Sequence, residues 1–222
     1  MKKLEMLKKE YGYLWVVPAY FILYMTWFIY LERRDNPAYH LIHTFADDYI
    51  PFNELFIIPY FLWFLFVPGA VVLSIMSGRK DFCKAFTFLS VGMTFFLIVS
   101  TVYPNGALLR PSVFPRNNIF TGMVMSLYST DTATNLFPSI HVYNSLGAMF
   151  AILKSKKYED KKLLRISSIV ICILIILSTV FLKQHSVFDV MTGLLMGAVV
   201  YVAVYRCDMS VLPKSYSISE LS

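Results

Sequence analysis

The chain has 222 residues, of which 57% are apolar, 17% aromatic and 15% charged, and its formal net charge is +6. Soluble domains carry about 25% charged residues, so a water-facing surface on this chain would expose large apolar patches. The composition therefore excludes a disordered chain and indicates a protein whose solvent is hydrocarbon. The positive net charge could suggest an acidic partner, so the positions of the cations decide its meaning.

Long segments without Asp, Glu, Lys or Arg follow one another along the chain. They are 11–31, 55–78, 85–109, 132–153, 166–182 and 190–205. The first four have the roughly 20 residues needed to cross the hydrocarbon, and the last two reach that length by including polar residues at their ends. The sequence predicts an all-α, polytopic membrane protein with six transmembrane helices, the sixth beginning near His185. On this prediction residues 1–222 form a single integral membrane domain.

Lysine and arginine are distributed unequally between the two sets of connecting segments. Of the 20 cations, 15 lie in the two terminal tails and the loops 79–84 and 154–165. The other five are Arg33, Arg34, Arg110, Arg116 and Lys183. The positive-inside rule then predicts that both termini are cytoplasmic, with the remaining loops on the extracytoplasmic side of a plasma membrane. The basic charge thus indicates orientation and contact with anionic lipid, and we expect no nucleic-acid partner.

Polar clusters fall on the predicted outer face at the beginning of two helices. His185 and Asp189 are four residues apart, so their side chains share one helix face, and the carboxylate can orient the imidazole as a nucleophile or base. Ser139 and His141 lie near a helix N-terminus, which favours an anion. Arg110, in the proline-interrupted segment 103–120, is a forked donor suited to phosphate. Together these residues predict a phosphoryl-transfer site that needs no metal.

The order and spacing of these residues resemble the type-2 phosphatidic acid phosphatase and haloperoxidase superfamily, over about residues 100–205. The family pattern is Lys-x6-Arg-Pro, Pro-Ser-Gly-His and Ser-Arg-x5-His-x3-Asp. The corresponding segments here are Tyr103-x6-Arg110-Pro111, Pro138-Ser139-Ile140-His141 and Ser178-Thr179-x5-His185-x3-Asp189.

The resemblance implies roles for the residues that match the pattern. His185 would attack phosphorus and form a phosphohistidine, Asp189 would orient it, and His141 would protonate the leaving group. Arg110 and Ser139 would hold the phosphate oxygens. The family's mechanism implies neither a metal nor another cofactor.

Three positions depart from the family pattern. Tyr103 stands in place of Lys, Thr179 in place of Arg and Ile140 in place of Gly. Two of the three cations that bind phosphate in the family pattern are therefore replaced. We expect Tyr103 and Thr179 to contact the substrate without the charge that Lys and Arg supply in the family, and Lys183 is a candidate replacement cation. The altered pattern resembles the inositol phosphorylceramide synthase and sphingomyelin synthase branch, in which an alcohol accepts the phosphoryl headgroup.

Several functions fit these residues. The first is a lipid phosphate phosphatase that hydrolyses a phosphomonoester or diphosphate lipid, and the second is a headgroup phosphotransferase. The third is a non-enzymatic membrane transporter or scaffold in which the histidines are structural polar pairs. The bilayer and a lipid phosphate are the expected partners, and the oligomeric state is left open.

The segment 39–54 carries several side chains that could bind a metal: His40, His43, Asp47, Asp48 and Glu54. They lack the fixed spacing of a zinc motif, so we expect an interfacial segment that covers the active face. The basic run 154–162 is expected to be a solvated cytoplasmic turn.

Overall fold

The computed structural model describes residues 12–34 and 38–209. Its helices are α1 Val16–Arg33, α2 Phe45–Tyr49, α3 Ile57–Ser77, α4 Arg79–Val102, α5 Ile119–Thr130, α6 Ile140–Leu153, α7 Lys162–Phe181 and α8 Val187–Tyr201. Short 3-10 turns cover Gly12–Trp15, Glu54–Phe56 and Lys156–Tyr158, and a π-helical turn covers Val202–Arg206. Five cations used for the predicted topology, Lys2, Lys3, Lys8, Lys9 and Lys214, lie outside the described residues.

Five helical stretches within the described residues are long and apolar enough to cross a membrane. They are Gly12–Arg33, Glu54–Ser77, Arg79–Val102, Lys162–Phe181 and Val187–Arg206. The predicted all-α class is confirmed, because the only strands in the described part of the chain are two residues long each. The protein is a mostly helical, multi-pass membrane protein.

The fourth predicted span, 132–153, is helical only in its second part. Pro138 cannot continue a helix, and Ser139 caps α6 by accepting a hydrogen bond from Val142 N at 3.4 Å. The 14 residues of α6 extend about 21 Å, less than the roughly 30 Å of the hydrocarbon. This length is tolerated because α6 lies at the centre of the bundle, packed against α3, α4, α7 and α8.

Loop segments join one another where α6 and α8 begin. Strand β1 (His40–Leu41) pairs in parallel with β2 (Asn105–Gly106). Asn105 is fully buried, and its Oδ1 accepts hydrogen bonds from the backbone amides of Leu136 and Phe137 at 2.8 and 2.9 Å. These contacts fix the loops against the helix ends that carry the polar clusters. We call this the loop layer, residues 38–56, 103–118 and 131–139.

Candidate active site

Two histidines from different helices meet below the loop layer. His141 is the second residue of α6, and His185 lies two residues before α8. His185 Nε2 is 3.3 Å from His141 Nδ1, so one ring nitrogen donates and the other accepts. The packing of α6 against α8 thus unites two side chains that are 44 positions apart in the chain.

Asp189 lies one helical turn beyond His185 and is fully buried. Its Oδ2 is 3.5 Å from His185 Nδ1 and accepts a hydrogen bond from Ser186 N at 3.0 Å. Asp189 Oδ1 and His185 Nδ1 have no hydrogen-bond partner among the described residues. The carboxylate of Asp189 thus lies behind the second ring nitrogen of His185, at a distance longer than an ordinary hydrogen bond.

Asp47 holds the beginning of α8. Its Oδ2 accepts from Ser186 Oγ at 2.6 Å, and its Oδ1 accepts from Val187 N at 2.7 Å. Burial alone would raise the pKa of Asp47, but these bonds and one from Thr44 N keep it below its ordinary value. The helix N-terminus adds to this preference for an anion. The sequence predicted only that Asp47 belongs to an interfacial segment covering the active face, and this role was missed.

Thr179 fixes the backbone before His185. Its carbonyl accepts from Gln184 N at 2.9 Å and from His185 N at 3.1 Å. Its side chain is fully buried, and the hydroxyl donates to Ile176 O within α7. The structure thus gives Thr179 a backbone contact at His185, and its predicted contact with substrate stays a prediction.

Arg110 reaches the residue next to His185. Its Nε and one terminal nitrogen donate to Gln184 Oε1 at 3.1 and 2.6 Å, and its terminal nitrogens also donate to the carbonyls of Tyr128 and Asp131. Its guanidinium carbon lies 4.3 Å from the centroid of the Tyr128 ring. Burial lowers the pKa of Arg110, but a guanidinium stays charged in proteins. Arg110 is therefore a fixed cation at Gln184, the residue that precedes His185.

A second polar chain supports Gln184 from the other side. Gln184 Nε2 donates to Asp131 Oδ2 at 3.2 Å, and Tyr60 OH donates to the same oxygen at 2.9 Å. The rings of Tyr60 and Trp63 pack on His141 with centroid distances of 4.9 and 4.6 Å. Sequence reasoning missed these residues. In the sequence, Gln184 is marked only by its place between Lys183 and His185, nothing marks Asp131, and the two aromatic residues resemble ordinary residues of a transmembrane span.

A small cavity of about 40 Å³ opens beside the two histidines. By volume it has room for only a few water molecules. Polar side chains and apolar groups share the lining, and the polar ones besides the histidines are Glu32, Asp131, Thr134, Asn135 and Gln184.

Close helix packing sets the distance between α6 and α8. Ser139, fully buried, donates its backbone N–H to Asp189 O at 3.2 Å. A Cβ added to Gly193 would lie 2.9 Å from the carbonyl oxygen of Ser139, closer than real Cβ atoms approach. Gly193 is therefore required for this close approach.

Two predicted substrate residues point toward the segment 38–50. Lys183 Nζ donates to Asp47 O at 2.6 Å, and burial lowers its pKa although Asp47 and Asp48 oppose that shift. The ring of Tyr103 stacks on His40 with a centroid distance of 4.2 Å. The described contacts of these two residues do not include either site histidine.

The acidic and histidine residues of 39–54 are dispersed. His43 Nε2 lies 2.8 Å from Asp48 Oδ1, and Glu54 accepts two bonds from Arg116 at 2.7 and 2.9 Å. In the described part of the chain, no three His, Cys, Asp or Glu residues are grouped so that they could hold a metal ion.

Comparison with known proteins gives one family. No curated protein and no solved structure matches the chain significantly. The PAP2 superfamily matches residues 85–211, more than half of the chain, and this region includes Arg110, His141, His185 and Asp189. The resemblance to the superfamily is thereby confirmed, and its members are generally phosphatases or phosphotransferases. The chain belongs to the PAP2 superfamily.

Proposed function

We propose that this protein is a membrane enzyme that hydrolyses a phosphomonoester or diphosphate lipid through a phosphohistidine at His185. The observation that carries the proposal is the 3.3 Å contact of His185 Nε2 with His141, while Asp189 lies behind the other ring nitrogen. Nucleophile, proton donor and orienting carboxylate are thus side by side. Membership of a superfamily of phosphatases and phosphotransferases supports the same chemistry.

The first step transfers the phosphoryl group to the enzyme. The substrate displaces His141 from His185, and the Nε2 lone pair attacks phosphorus while the bond to the leaving oxygen breaks. Asp189 stabilises the proton on Nδ1, and protonated His141 gives its proton to the leaving oxygen.

The second step returns the phosphoryl group to water. Neutral His141 removes a proton from a water molecule, whose oxygen attacks phosphorus as the P–N bond breaks. Inorganic phosphate leaves and His185 is free again. Arg110, Ser139 and the N-terminus of α6 hold the phosphate oxygens, and Arg110 exchanges part of its present acceptors for them.

The proposed topology has six spans in a single domain of residues 1–222. It consists of the five long apolar stretches and the enclosed helix α6. Both termini would be cytoplasmic and the histidines extracytoplasmic at the plasma membrane, as the cation distribution favours. Accessibility tags at both termini are expected to react only after permeabilisation, and labelling of either terminus in intact cells contradicts this orientation.

Headgroup transfer to an alcohol is the second candidate. The cavity lining includes Glu32, Asp131 and Asn135, whose side chains can hydrogen-bond an acceptor's hydroxyl groups. In this case an alcohol oxygen replaces water in the second step. Tyr103 and Thr179, at positions where the resembled family has cations, agree with the inositol phosphorylceramide synthase-like branch.

The test uses purified protein with phosphatidate or a prenyl diphosphate in detergent, with chelator, between about pH 5 and 8. The phosphatase hypothesis expects phosphate release that His185→Ala abolishes and that His43→Ala, a change at an exposed histidine, retains. A new lipid formed only with added alcohol supports the transferase. The absence of both products leaves the transporter or scaffold and overturns the enzyme proposal.

Trapping the intermediate tests the mechanism directly. A lipid phosphate with an activated leaving group needs no proton in the first step. We therefore expect His141→Ala to accumulate acid-labile phosphoprotein with this substrate, and the double change with His185→Ala to accumulate none. Phosphoprotein that persists without His185 contradicts its role as the nucleophile.

A further inference from the structure

A second, larger cavity lies among lysines at the far end of the helices. Its volume is about 480 Å³. Among the described residues, five lysines line it: Lys80, Lys84, Lys154, Lys156 and Lys157. They come from two separate segments, the beginning of α4 and the connection from α6 to α7.

This cavity is on the side of the bundle opposite the histidines. Helix α3 begins near Tyr60, which packs on His141, and ends at Ser77, which lines the lysine cavity. At 1.5 Å per residue, the distance along the helix is about 25 Å. The two sites are therefore at opposite ends of the membrane-spanning helices.

Hydrogen bonds give the cavity fixed walls. Ser155 Oγ donates to Ser77 Oγ at 2.8 Å, and Tyr158 OH donates to Leu73 O at 3.0 Å. These contacts hold the α6–α7 connection against the end of α3. Lysines far apart in the sequence thus converge on one concavity, whereas the sequence predicted only a solvated turn over 154–162.

The lysines differ in how far they are already neutralised. Lys84 pairs with Asp208 at 2.8 Å, Lys157 Nζ donates to Met76 O at 2.7 Å, and Asp81 also lines the cavity. Lys80 and Lys156 form no ion pair with an acidic side chain in the described ranges 12–34 and 38–209. The cavity therefore has an excess of cations that face one space.

We propose that this cavity binds the phosphate-bearing headgroup of an anionic phospholipid in the leaflet opposite the histidine site. Charge complementarity supports a phosphorylated ligand, because lysines supply strong donors to phosphate. The position favours a lipid over a free anion, since the cavity lies where apolar helices α3, α4 and α6 begin or end. Basic cavities between membrane helices on the cytoplasmic side are typical headgroup sites.

The test measures binding of fluorescent phosphatidylinositol bisphosphate to the full chain in detergent. The His185→Ala background prevents turnover of the probe. The double variant Lys80→Gln/Lys156→Gln is compared with Lys161→Gln/Lys162→Gln, a pair that lies outside the lining and removes the same charge. Loss of two lysines from a headgroup site weakens binding by about tenfold or more, and the control changes it less than about twofold.

Competition and melting measurements separate the remaining outcomes. Unlabelled anionic phospholipid is expected to displace the probe, and phosphatidylcholine or millimolar inorganic phosphate is not. An equal loss of probe binding in both double variants means that the lipid is attracted by the basic surface in general. Displacement of the probe by inorganic phosphate means that the cavity is a site for a free anion. Either result overturns the proposal. Unchanged thermal midpoints show that both variants are folded.

Discussion

The carboxylate of Asp47 accepts a hydrogen bond from the hydroxyl of Ser186 at 2.6 Å, across 139 positions of the chain. Through Ser186 and Val187 it joins the segment 38–50 to the beginning of α8. His185 immediately precedes this junction, so its position depends on a residue in another part of the chain. We expect Asp47 to be a positioning residue, since its carboxylate bonds to Ser186 and to the backbone amides of Thr44 and Val187 and not to the histidines.

We expect Asp47→Asn to lower the free energy of unfolding by roughly 1–3 kcal/mol, because hydrogen bonds to a charged group are replaced by neutral ones. It should also lower kcat more than it raises KM, because His185 loses its fixed position while the phosphate contacts stay. The matched control is Asp48→Asn, whose carboxylate is exposed and pairs with exposed His43. That substitution should change the free energy of unfolding by less than about 0.5 kcal/mol. Equal effects of the two substitutions contradict a positioning role.

The lowered pKa of Asp47 predicts a dependence of stability on acid. A carboxylate whose folded pKa lies below its ordinary value of 3.8 stabilises the fold fully above that value. This contribution disappears as the pH falls through the lowered folded pKa. The difference in thermal midpoint between wild type and Asp47→Asn should therefore be constant from pH 7 to about 5 and shrink below about 4. A difference that stays constant down to pH 3 shows that the charge of Asp47 is not involved.

Local patterns predicted much of the fold, and they singled out His141, His185 and Asp189, which the structure brings together. The uncharged run 55–78 corresponds to α3, Ile57–Ser77, because a helix that crosses hydrocarbon must consist almost entirely of apolar residues. The four-residue spacing of His185 and Asp189 is likewise local. The boundaries of α6 were harder to predict, because its neighbours in the protein, rather than lipid, cover it. The role of Asp47 was missed because it depends on a contact between distant segments.

Arg110→Lys tests whether the fork of the guanidinium matters. Lysine keeps the charge but cannot reach Gln184 and the carbonyls of Tyr128 and Asp131 together. We expect kcat/KM for the lipid phosphate to fall at least about tenfold, as the loss of one charge-assisted hydrogen bond implies. Arg116→Lys removes a comparable fork, its paired bonds to Glu54, and should affect stability but not kcat/KM. If Arg116→Lys reduces kcat/KM as much as Arg110→Lys does, the reduction comes from a disturbance of the loop layer as a whole and not from the loss of the Arg110 fork.

Gly193→Ala tests whether the separation of α6 and α8 controls the histidine contact. The added Cβ would lie 2.9 Å from the backbone oxygen of Ser139 and 3.1 Å from Val142 Cβ. Since a backbone oxygen cannot rotate away as a flexible side chain can, the helices have to move apart, and overpacking of this kind costs about 1–3 kcal/mol. His141 and His185 move apart with them, so activity should fall more steeply than the loss of stability alone explains.

The matched change is Gly122→Ala in α5, where an added Cβ meets nothing within 4 Å. It should be neutral or stabilise the protein by up to about 1 kcal/mol, because alanine favours a helix over glycine. Thermal midpoints and initial rates of the two variants, measured in the same detergent, give the comparison. Wild-type rates in Gly193→Ala would mean that the two histidines tolerate a wider helix separation, and the 3.3 Å contact would then not be needed for the reaction.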